Sequence, residues 1–256
     1  MHDWIGGDVN YNRVGHGYTN HRRPDPRIAA MIHAALGDSR TVVNVGAGAG
    51  SYEPTDRVVI PIEPSAVMRA QRPAHLAPAI EAAAESLPLA DHAADGAMAT
   101  LTVHQWSDLQ QGLRELRRVT RGPVVVLTFD GDDMRRFWLA EYIPEMIEAE
   151  RRRMPPIAAI GESLGGVVEV LTVPIARDCT DGFTEAYYAR PERFLDPQVR
   201  ACQSCWRFVE QAAQDRFVAD LQRDLESGAW DRRYGRWRDM PEFLGSVRLI
   251  VSRPAR

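Results

Sequence analysis

The sequence predicts an α/β protein built on one mostly parallel, doubly wound β-sheet with helices on both faces. Three observations lead to this fold class. Short apolar, β-branched segments alternate with segments of helical periodicity between residues 26 and 129. Two further apolar segments, residues 167–173 and 247–251, add strands to the same sheet. The chain of 256 residues is 45% hydrophobic, which is enough for one large core.

The first half alternates regularly between helix and strand. Residues 26–36 carry apolar side chains at helical spacing, and Gly37 follows as a helix terminator. Ser65 is a candidate N-cap for a helix that ends at residue 71, and residues 109–120 form the next helix. Strands are predicted at residues 41–45, 57–62, 97–103 and 124–129.

The second half is mostly helical between its two strands. A mostly helical stretch is predicted over residues 133–153, followed by a helix-like segment near residues 157–164 and by a helical block over residues 197–227. The stretch from residue 175 to 234 lies between two strands, so we expect it to be an insertion that carries substrate-specific structure. We predict a single domain over residues 1–256.

Composition and charge exclude several classes of function. The net charge is −4, and all 31 basic residues are arginine, which excludes mechanisms that need a lysine amine. The arginine run 151–153 lies among carboxylates, so nucleic-acid binding is disfavoured. There is no apolar stretch long enough to span a membrane and no secretory signal, so we expect a cytoplasmic protein. Cys202 and Cys205 have the spacing of half a zinc site, but without a second pair we interpret them as thiols on a helix and expect no metal.

A glycine-rich loop follows the first predicted strand. Gly46, Gly48 and Gly50 alternate with alanine, and without Cβ atoms such a loop lets a ligand lie against the main-chain amides. Glu63 stands at the end of the next strand, where a carboxylate can accept both hydroxyl protons of a ribose. Together the loop and the acid predict an adenosine-containing ligand.

With the segments 85–89, 91–103, 104–108 and 113–119, the sequence resembles the class I S-adenosylmethionine-dependent methyltransferases, in particular the small-molecule enzymes of the methyltransferase 11 type. The resemblance covers residues 11–129 well and the remainder in outline. It implies a Rossmann-like, seven-stranded sheet and S-adenosylmethionine as cofactor. It also divides the chain into a cofactor-covering segment (1–36), a cofactor-binding half (37–130) and a substrate-side half (131–256).

The resemblance assigns roles to individual residues. Gly46, Ala47, Gly48 and Gly50 match the loop at the methionine part of the cofactor, and Glu63 matches the ribose-binding acid. The other cofactor positions are Pro64 and Met68 on the adenine, Ala84, Glu85 and Ser86 at its polar edge, Thr102 and His104 near the ammonium group, and Tyr11, Tyr18 and Arg22 over the carboxylate end. Two positions depart from the family pattern, since Asn44 and Ala83 stand where acids are common.

Methyl transfer needs a base only if the acceptor must lose a proton. His104 and Tyr18 are the candidate catalytic residues, and the alternative for His104 is a packing role beside Trp106. Residues 178–183 follow a strand and would rim the pocket. A carboxylate there could orient an amine or hydroxyl, but an N-cap by Thr180 or Asp181 ahead of Phe183 is the preferred interpretation. Two aromatic sets show helical spacing and could form either core or an acceptor pocket: Phe137, Trp138, Tyr142 and Met146, and Phe183, Tyr187 and Tyr188.

The sequence therefore predicts S-adenosylmethionine-dependent methylation of a small organic molecule, in small-molecule or natural-product metabolism, by a monomer or homodimer without nucleic-acid or membrane partners. A second hypothesis keeps the cofactor but not the reaction: intramolecular displacement that releases methylthioadenosine, or cyclisation of another substrate. Two hypotheses from different classes stay open at this point, a catalytically silent binding module and a nicotinamide-dependent oxidoreductase.

Overall fold

A computed structural model describes residues 21–255 of the chain. Its eight strands are β1 (Thr41–Val45), β2 (Val58–Ile62), β3 (Gly96–Thr100), β4 (Val124–Phe129), β5 (Val167–Thr172), β6 (Ile175–Ala176), β7 (Glu242–Phe243) and β8 (Val247–Arg253). Six of them form one sheet in the order β2-β1-β3-β4-β8-β5. Strands β1 to β4 are parallel, and β8 runs antiparallel to both β4 and β5. The α/β prediction is confirmed.

The predicted seventh strand is absent from the sheet in residues 21–255. The chain passes the outer edge of β2 at Ile80, which makes a single parallel bridge to Ile62. The Ile80 amide donates to the carbonyl of Pro61 at 2.9 Å, and the Glu63 amide donates to the carbonyl of Ile80 at 3.0 Å. Pro73 and Pro78 precede this bridge, and proline has no N–H to extend a ladder.

Ten α-helices are present in the described part of the chain: α1 (Pro26–Leu36), α2 (Ala66–Arg69), α3 (Leu109–Arg118), α4 (Leu139–Tyr142), α5 (Pro144–Arg153), α6 (Ile157–Leu164), α7 (Pro197–Ala201), α8 (Gln211–Glu226), α9 (Ala229–Tyr234) and α10 (Arg236–Asp239). Five 3₁₀ segments join them: Val103–Gln105, Asp133–Arg136, Thr184–Tyr187, Pro191–Leu195 and Ser204–Phe208. None of these helices is long and apolar enough to cross a membrane.

Local signals set the helix ends where they are strong. Asp25 caps α1 by accepting from the Arg27 amide at 2.9 Å, and Gly37 ends the helix at φ +56°. Ser65 caps α2 as predicted, by accepting from the Met68 amide at 3.2 Å. The predictions of a mostly helical stretch over 133–153 and a helical block over 197–227 are confirmed. Each is divided into shorter segments, and Pro144, which begins α5, accounts for one of the breaks.

The two faces of the sheet carry separate cores. Helix α1 packs against the first face through the buried side chains of Ile28, Ile32 and Leu36. Helices α3 and α6 cover the second face, where Leu113 and Leu116 are fully buried. The first core continues into the segments after β4 and into the insertion, so these elements are fixed beside the carboxyl ends of the strands. In a doubly wound sheet this edge, where β2 and β3 lie on opposite sides of β1, is where ligands bind.

Candidate active site

The glycine loop leaves β1 at the predicted position. Gly46, Gly48 and Gly50 have φ values of +70°, +52° and +95°, a region that favours glycine. The amides of Gly46 and Ala47 both donate to the carbonyl of Ile62 at 2.9 Å, so the loop crosses directly to the end of β2. A Cβ atom on Gly46 would lie 2.1 Å from Thr102 Oγ1, which shows that the loop also touches the chain beyond β3.

Glu63 closes on this loop. Its Oε2 accepts from the Gly48 amide and its Oε1 from the Ser65 amide, both at 2.8 Å. The side chain is buried, and burial raises its pKa despite these two amide bonds, which act in the opposite direction. Each carboxylate oxygen has a second acceptor direction. The carboxylate can therefore hold the loop and accept hydroxyl groups of a ligand at the same time.

A buried ion pair between Arg72 and Glu53 lies next to the glycine loop. Arg72 donates to Glu53 at 2.8 Å, and the side chains of Arg72 and Glu53 are 4% and 1% exposed. Asn44 donates to the other oxygen of Glu53 at 3.0 Å. An acid at position 44 would bring a second negative charge next to the carboxylate of Glu53, and the two charges would repel each other. This explains in part why residue 44 is asparagine. The sequence did not indicate this network.

The predicted adenine-side residues fall into different environments. Met68 is buried, and its Cε would lie 3.3 Å from a Cβ on Gly48, whereas Pro64 is exposed. Ala84 is buried and Ser86 is exposed. The Glu85 carboxylate accepts from the Ser107 hydroxyl at 2.8 Å and from the Asp108 amide at 3.0 Å, so it ties this segment to the start of α3.

The chain beyond β3 is strained and partly buried. Leu101 has φ +54°, and this backbone conformation ends the strand before the residue 103 that was predicted. His104 is 5% exposed, and its Nδ1 has no hydrogen-bond partner. Burial, with the nearby charges of Arg153 and Arg22, lowers the pKa of His104 to about 3. The ring therefore stays neutral at physiological pH and is a weak base, which favours the packing interpretation over a role as a proton acceptor.

Of Tyr11, Tyr18 and Arg22, which were assigned to the carboxylate end of the cofactor, Arg22 lies within the described residues and contacts the insertion. Its Nε donates to Asp181 Oδ1 at 2.6 Å, and the Tyr52 hydroxyl donates to Asp181 Oδ2 at 2.7 Å. The predicted N-cap role of Thr180 and Asp181 is wrong, since Phe183 is the residue before the 3₁₀ segment and no side chain caps it. The Thr180 amide instead donates to Asp25 at 3.1 Å. Tyr11 and Tyr18 lie outside the described residues.

A cavity of about 60 Å³ lies beyond the carboxyl ends of β3 and β4. This is several times the roughly 10–15 Å³ that one water molecule requires. Phe129, Phe137 and Phe183 form much of its apolar wall, and His104 and Glu185 are among its polar residues. Members of the two predicted aromatic sets therefore have different roles. The cavity is lined by Phe137, Met146 and Phe183, whereas the core away from the cavity contains Trp138, Tyr142, Tyr187 and Tyr188.

Comparisons with known proteins agree with this geometry. Residues 43–126 match the methyltransferase 11 family model, described as a methyltransferase domain. A protein of Anabaena variabilis, described as a methyltransferase from an antibiotic biosynthesis pathway, is 31% identical, with a TM-score of 0.84 over 91% of this chain and 98% of that one. The chain belongs to the class I S-adenosylmethionine-dependent methyltransferases.

More distant structures show the same fold. A methyltransferase of Thermotoga maritima is 22% identical, with a TM-score of 0.51 over 64% of this chain and 84% of that one. A phosphoethanolamine N-methyltransferase of Haemonchus contortus, in complex with phosphomonomethylethanolamine and S-adenosylhomocysteine, is 12% identical, with a TM-score of 0.54 over 96% of this chain and 59% of that one. No curated protein sequence gives a significant match.

The cofactor of this methyltransferase is S-adenosylmethionine, and the residues present fit it. Glu63 is buried beside the loop with acceptor capacity for ribose hydroxyls, and Gly48, at positive φ, has no side chain of its own to cover the main chain there. Among residues 21–255 no group of His, Cys, Asp or Glu is arranged to hold a metal, and Cys179, Cys202 and Cys205 form no disulfide. The sequence did not reveal that Glu185 lies in the cavity or that Tyr52 donates a hydrogen bond to Asp181. Both depend on contacts between residues more than fifty positions apart in the chain.

Proposed function

We propose that this protein transfers a methyl group from S-adenosylmethionine to a small organic molecule held in the cavity beyond β3 and β4. The observation that carries the proposal is the position of that cavity. Leu101 and His104 line it, and Thr102, which lies between them in sequence, contacts Gly46 of the glycine loop. The cavity and the loop therefore share one short stretch of chain.

The residues of the loop and of the neighbouring strand ends would hold the cofactor. Residues 46–50 would bind the methionine part, and Glu63 would accept the ribose hydroxyls. Pro64 and Met68 would lie on the adenine, with residues 84–86 at its polar edge and Thr102 at the ammonium group. Arg22, held by Asp181, and Tyr11 and Tyr18 would cover the carboxylate end.

When bound, the cofactor supplies a methyl group made electrophilic by the sulfonium. The protein then has to position the acceptor and exclude water. Phe129 and Phe183 form an edge-to-face pair with centroids 5.8 Å apart in the cavity wall, and such faces favour a neighbouring positive charge. His104 is neutral at physiological pH and would orient the acceptor rather than hold its proton.

The test of this proposal is product analysis with a labelled donor. The protein is incubated with S-adenosylmethionine carrying a deuterated methyl group and with a pool of small metabolites, and products are followed by mass spectrometry. We expect S-adenosylhomocysteine together with a small molecule that carries the deuterated methyl. Release of methylthioadenosine, or turnover without transfer of label, would show a non-methylating reaction instead.

Further features of the enzyme follow as parts of the proposal. The Anabaena relative, described as belonging to an antibiotic biosynthesis pathway, supports an acceptor from natural-product metabolism. We also propose a cytoplasmic enzyme of one domain that acts as a monomer or homodimer. Size-exclusion chromatography with light scattering measures the last of these directly.

A further inference from the structure

Glu185 is a buried acid that the cofactor site does not use. It lies in the 3₁₀ segment Thr184–Tyr187 of the insertion, is 4% exposed and lines the cavity. Its Oε2 accepts from the Ser246 amide at 2.9 Å, and the Ser246 hydroxyl also lies close to the carboxylate, but neither forms a hydrogen bond to the buried Oε1. A buried carboxylate oxygen without a partner is costly, which points to a ligand group that completes it.

Nearby positive charge does not satisfy this carboxylate. Arg248 lies close enough to act on Glu185 electrostatically, but its guanidinium is paired with Asp133 and Asp130. Arg22, on the cavity wall, is paired with Asp181. Burial raises the pKa of Glu185 to about 7, against the effects of Ser246 and Arg248, and Asp133 adds to the rise. The charged and titratable groups that face Glu185 or share its cavity are Arg22, His104, Asp133, Glu150, Cys205 and Arg248.

The chemistry of the wall indicates a cationic acceptor. Phe129, Phe137 and Phe183 present aromatic surface to the same cavity, and aromatic faces attract ammonium groups. The Nδ1 atom of His104 has no partner, and in the tautomer of the neutral ring that carries its proton on Nε2 it can accept a hydrogen bond. A ligand hydroxyl group would donate a hydrogen bond to the free oxygen of Glu185 but would leave the charge of the carboxylate buried and unpaired. A ligand ammonium group would donate the hydrogen bond and also pair with the charge.

We propose that Glu185 binds the ammonium group of an amine acceptor and receives the proton that this nitrogen must lose before methylation. This inference rests on the proposed function. The N–H bond breaks and the proton moves to the Glu185 carboxylate. The freed lone pair of the nitrogen forms the new bond to the methyl carbon as the bond from that carbon to sulfur breaks, and sulfur keeps its electron pair. Glu185 then releases the proton to solvent, so the products are a methylated ammonium, S-adenosylhomocysteine and one proton.

The proposal predicts proton-linked binding of amines. Below pH 7 the free carboxyl group of Glu185 is mostly protonated, so an ammonium ion that binds it must displace a proton. We expect isobutylamine and benzylamine to bind the S-adenosylhomocysteine-saturated protein with proton release, measured by titration calorimetry in buffers of different ionisation enthalpy. Their affinity should rise as the pH passes through about 7. The matched neutral probes, isobutanol and benzyl alcohol, should release none.

Glu185→Gln tests the residue. Its amide oxygen can still accept from the Ser246 amide, so the fold should persist, which thermal denaturation checks. We expect the variant to bind both amines about 10- to 100-fold more weakly and without proton release, because a charge-assisted hydrogen bond is lost. Affinity for the two alcohols and for S-adenosylhomocysteine should not change. Glu192→Gln, an exposed acid of the same insertion paired with Arg238, is the matched control and should behave as the parent protein.

The results of these titrations separate this proposal from the proposed function. If S-adenosylhomocysteine binds but the amines do not, or if they bind without proton release or equally well to Glu185→Gln, the amine proposal is overturned while the methyltransferase function stands. Tighter binding of the alcohols than of the amines also overturns it. Failure to bind S-adenosylhomocysteine overturns both.

Discussion

Replacement of Glu63 by glutamine should weaken cofactor binding much more than it weakens the fold. The carboxylate accepts amide protons from Gly48 and Ser65, and each oxygen keeps a further acceptor position for a ribose hydroxyl. Glutamine keeps one acceptor oxygen and removes the charge. A hydrogen bond to a charged group contributes about 1.5–3 kcal/mol, so the dissociation constant should rise about 10- to 150-fold.

The cost to the fold should be smaller. One of the two backbone amides loses its acceptor, which costs about 0.5–1.5 kcal/mol. Removal of a buried charge, whose pKa is already raised by burial, offsets part of this cost. Urea denaturation should therefore show a decrease in unfolding free energy of about 1 kcal/mol at most.

The assay is titration calorimetry with S-adenosylhomocysteine, and Asp95→Asn is its matched control. Asp95 Oδ2 also accepts two backbone amides, those of Arg40 and Thr41 at 3.0 Å, but at the opposite edge of the sheet, where β1 and β3 begin. The control should leave the affinity unchanged. An unchanged affinity in Glu63→Gln as well would refute the assignment of the ribose to this acid.

Three further changes test different parts of the structure. Gly48→Val should abolish cofactor binding by calorimetry, because a β-branched residue at φ +52° is strained by about 1–2 kcal/mol and would cover the loop; retained binding would contradict this. Burial raises the pKa of Asp25, but the hydrogen bonds from Arg27 and Thr180 outweigh burial and lower the pKa to about 2. The contribution of Asp25 to the unfolding free energy, about 2 kcal/mol, is therefore present above pH 4 and is lost as the pH falls toward 2. Urea titrations across that range should show a weaker acid dependence in Asp25→Asn, and identical curves would argue against the cap. Tyr52→Phe removes a buried hydrogen bond to Asp181 and should lower the unfolding free energy by about 1.5–3 kcal/mol at neutral pH. An unchanged unfolding free energy would show that this hydrogen bond makes no net contribution to stability.

The sequence was most informative where local chemistry decides the structure. Helix α1 has the predicted bounds because Asp25 caps it and Gly37 ends it. Strands β1 and β4 also have the predicted bounds, since both are short, mostly buried segments rich in valine. The loop and Glu63 could be paired because the carboxyl ends of neighbouring parallel strands meet at one edge.

The sequence was least informative where distant segments decide the structure. The Thr180 amide is taken up by Asp25 rather than by a local cap, and residue 181 pairs with Arg22, 159 positions earlier. Glu185 is unremarkable in its own segment, and its place beside the cavity involves a hydrogen bond from the amide of Ser246, 61 residues later. Residues 133–153 are mostly helical, as predicted, but the pattern did not place the ends of the individual segments, although Pro144 was a visible signal.

The central claim is that the loop at residues 46–50 and Glu63 bind one nucleoside, with the acceptor cavity next to it. A crystal structure with S-adenosylhomocysteine bound tests this most directly. We predict that both ribose hydroxyls lie within hydrogen-bond distance of the Glu63 carboxylate and that the sulfur atom faces the cavity lined by Leu101, His104 and Glu185. A nucleoside bound elsewhere, or a sulfur atom that faces away from this cavity, would contradict the account.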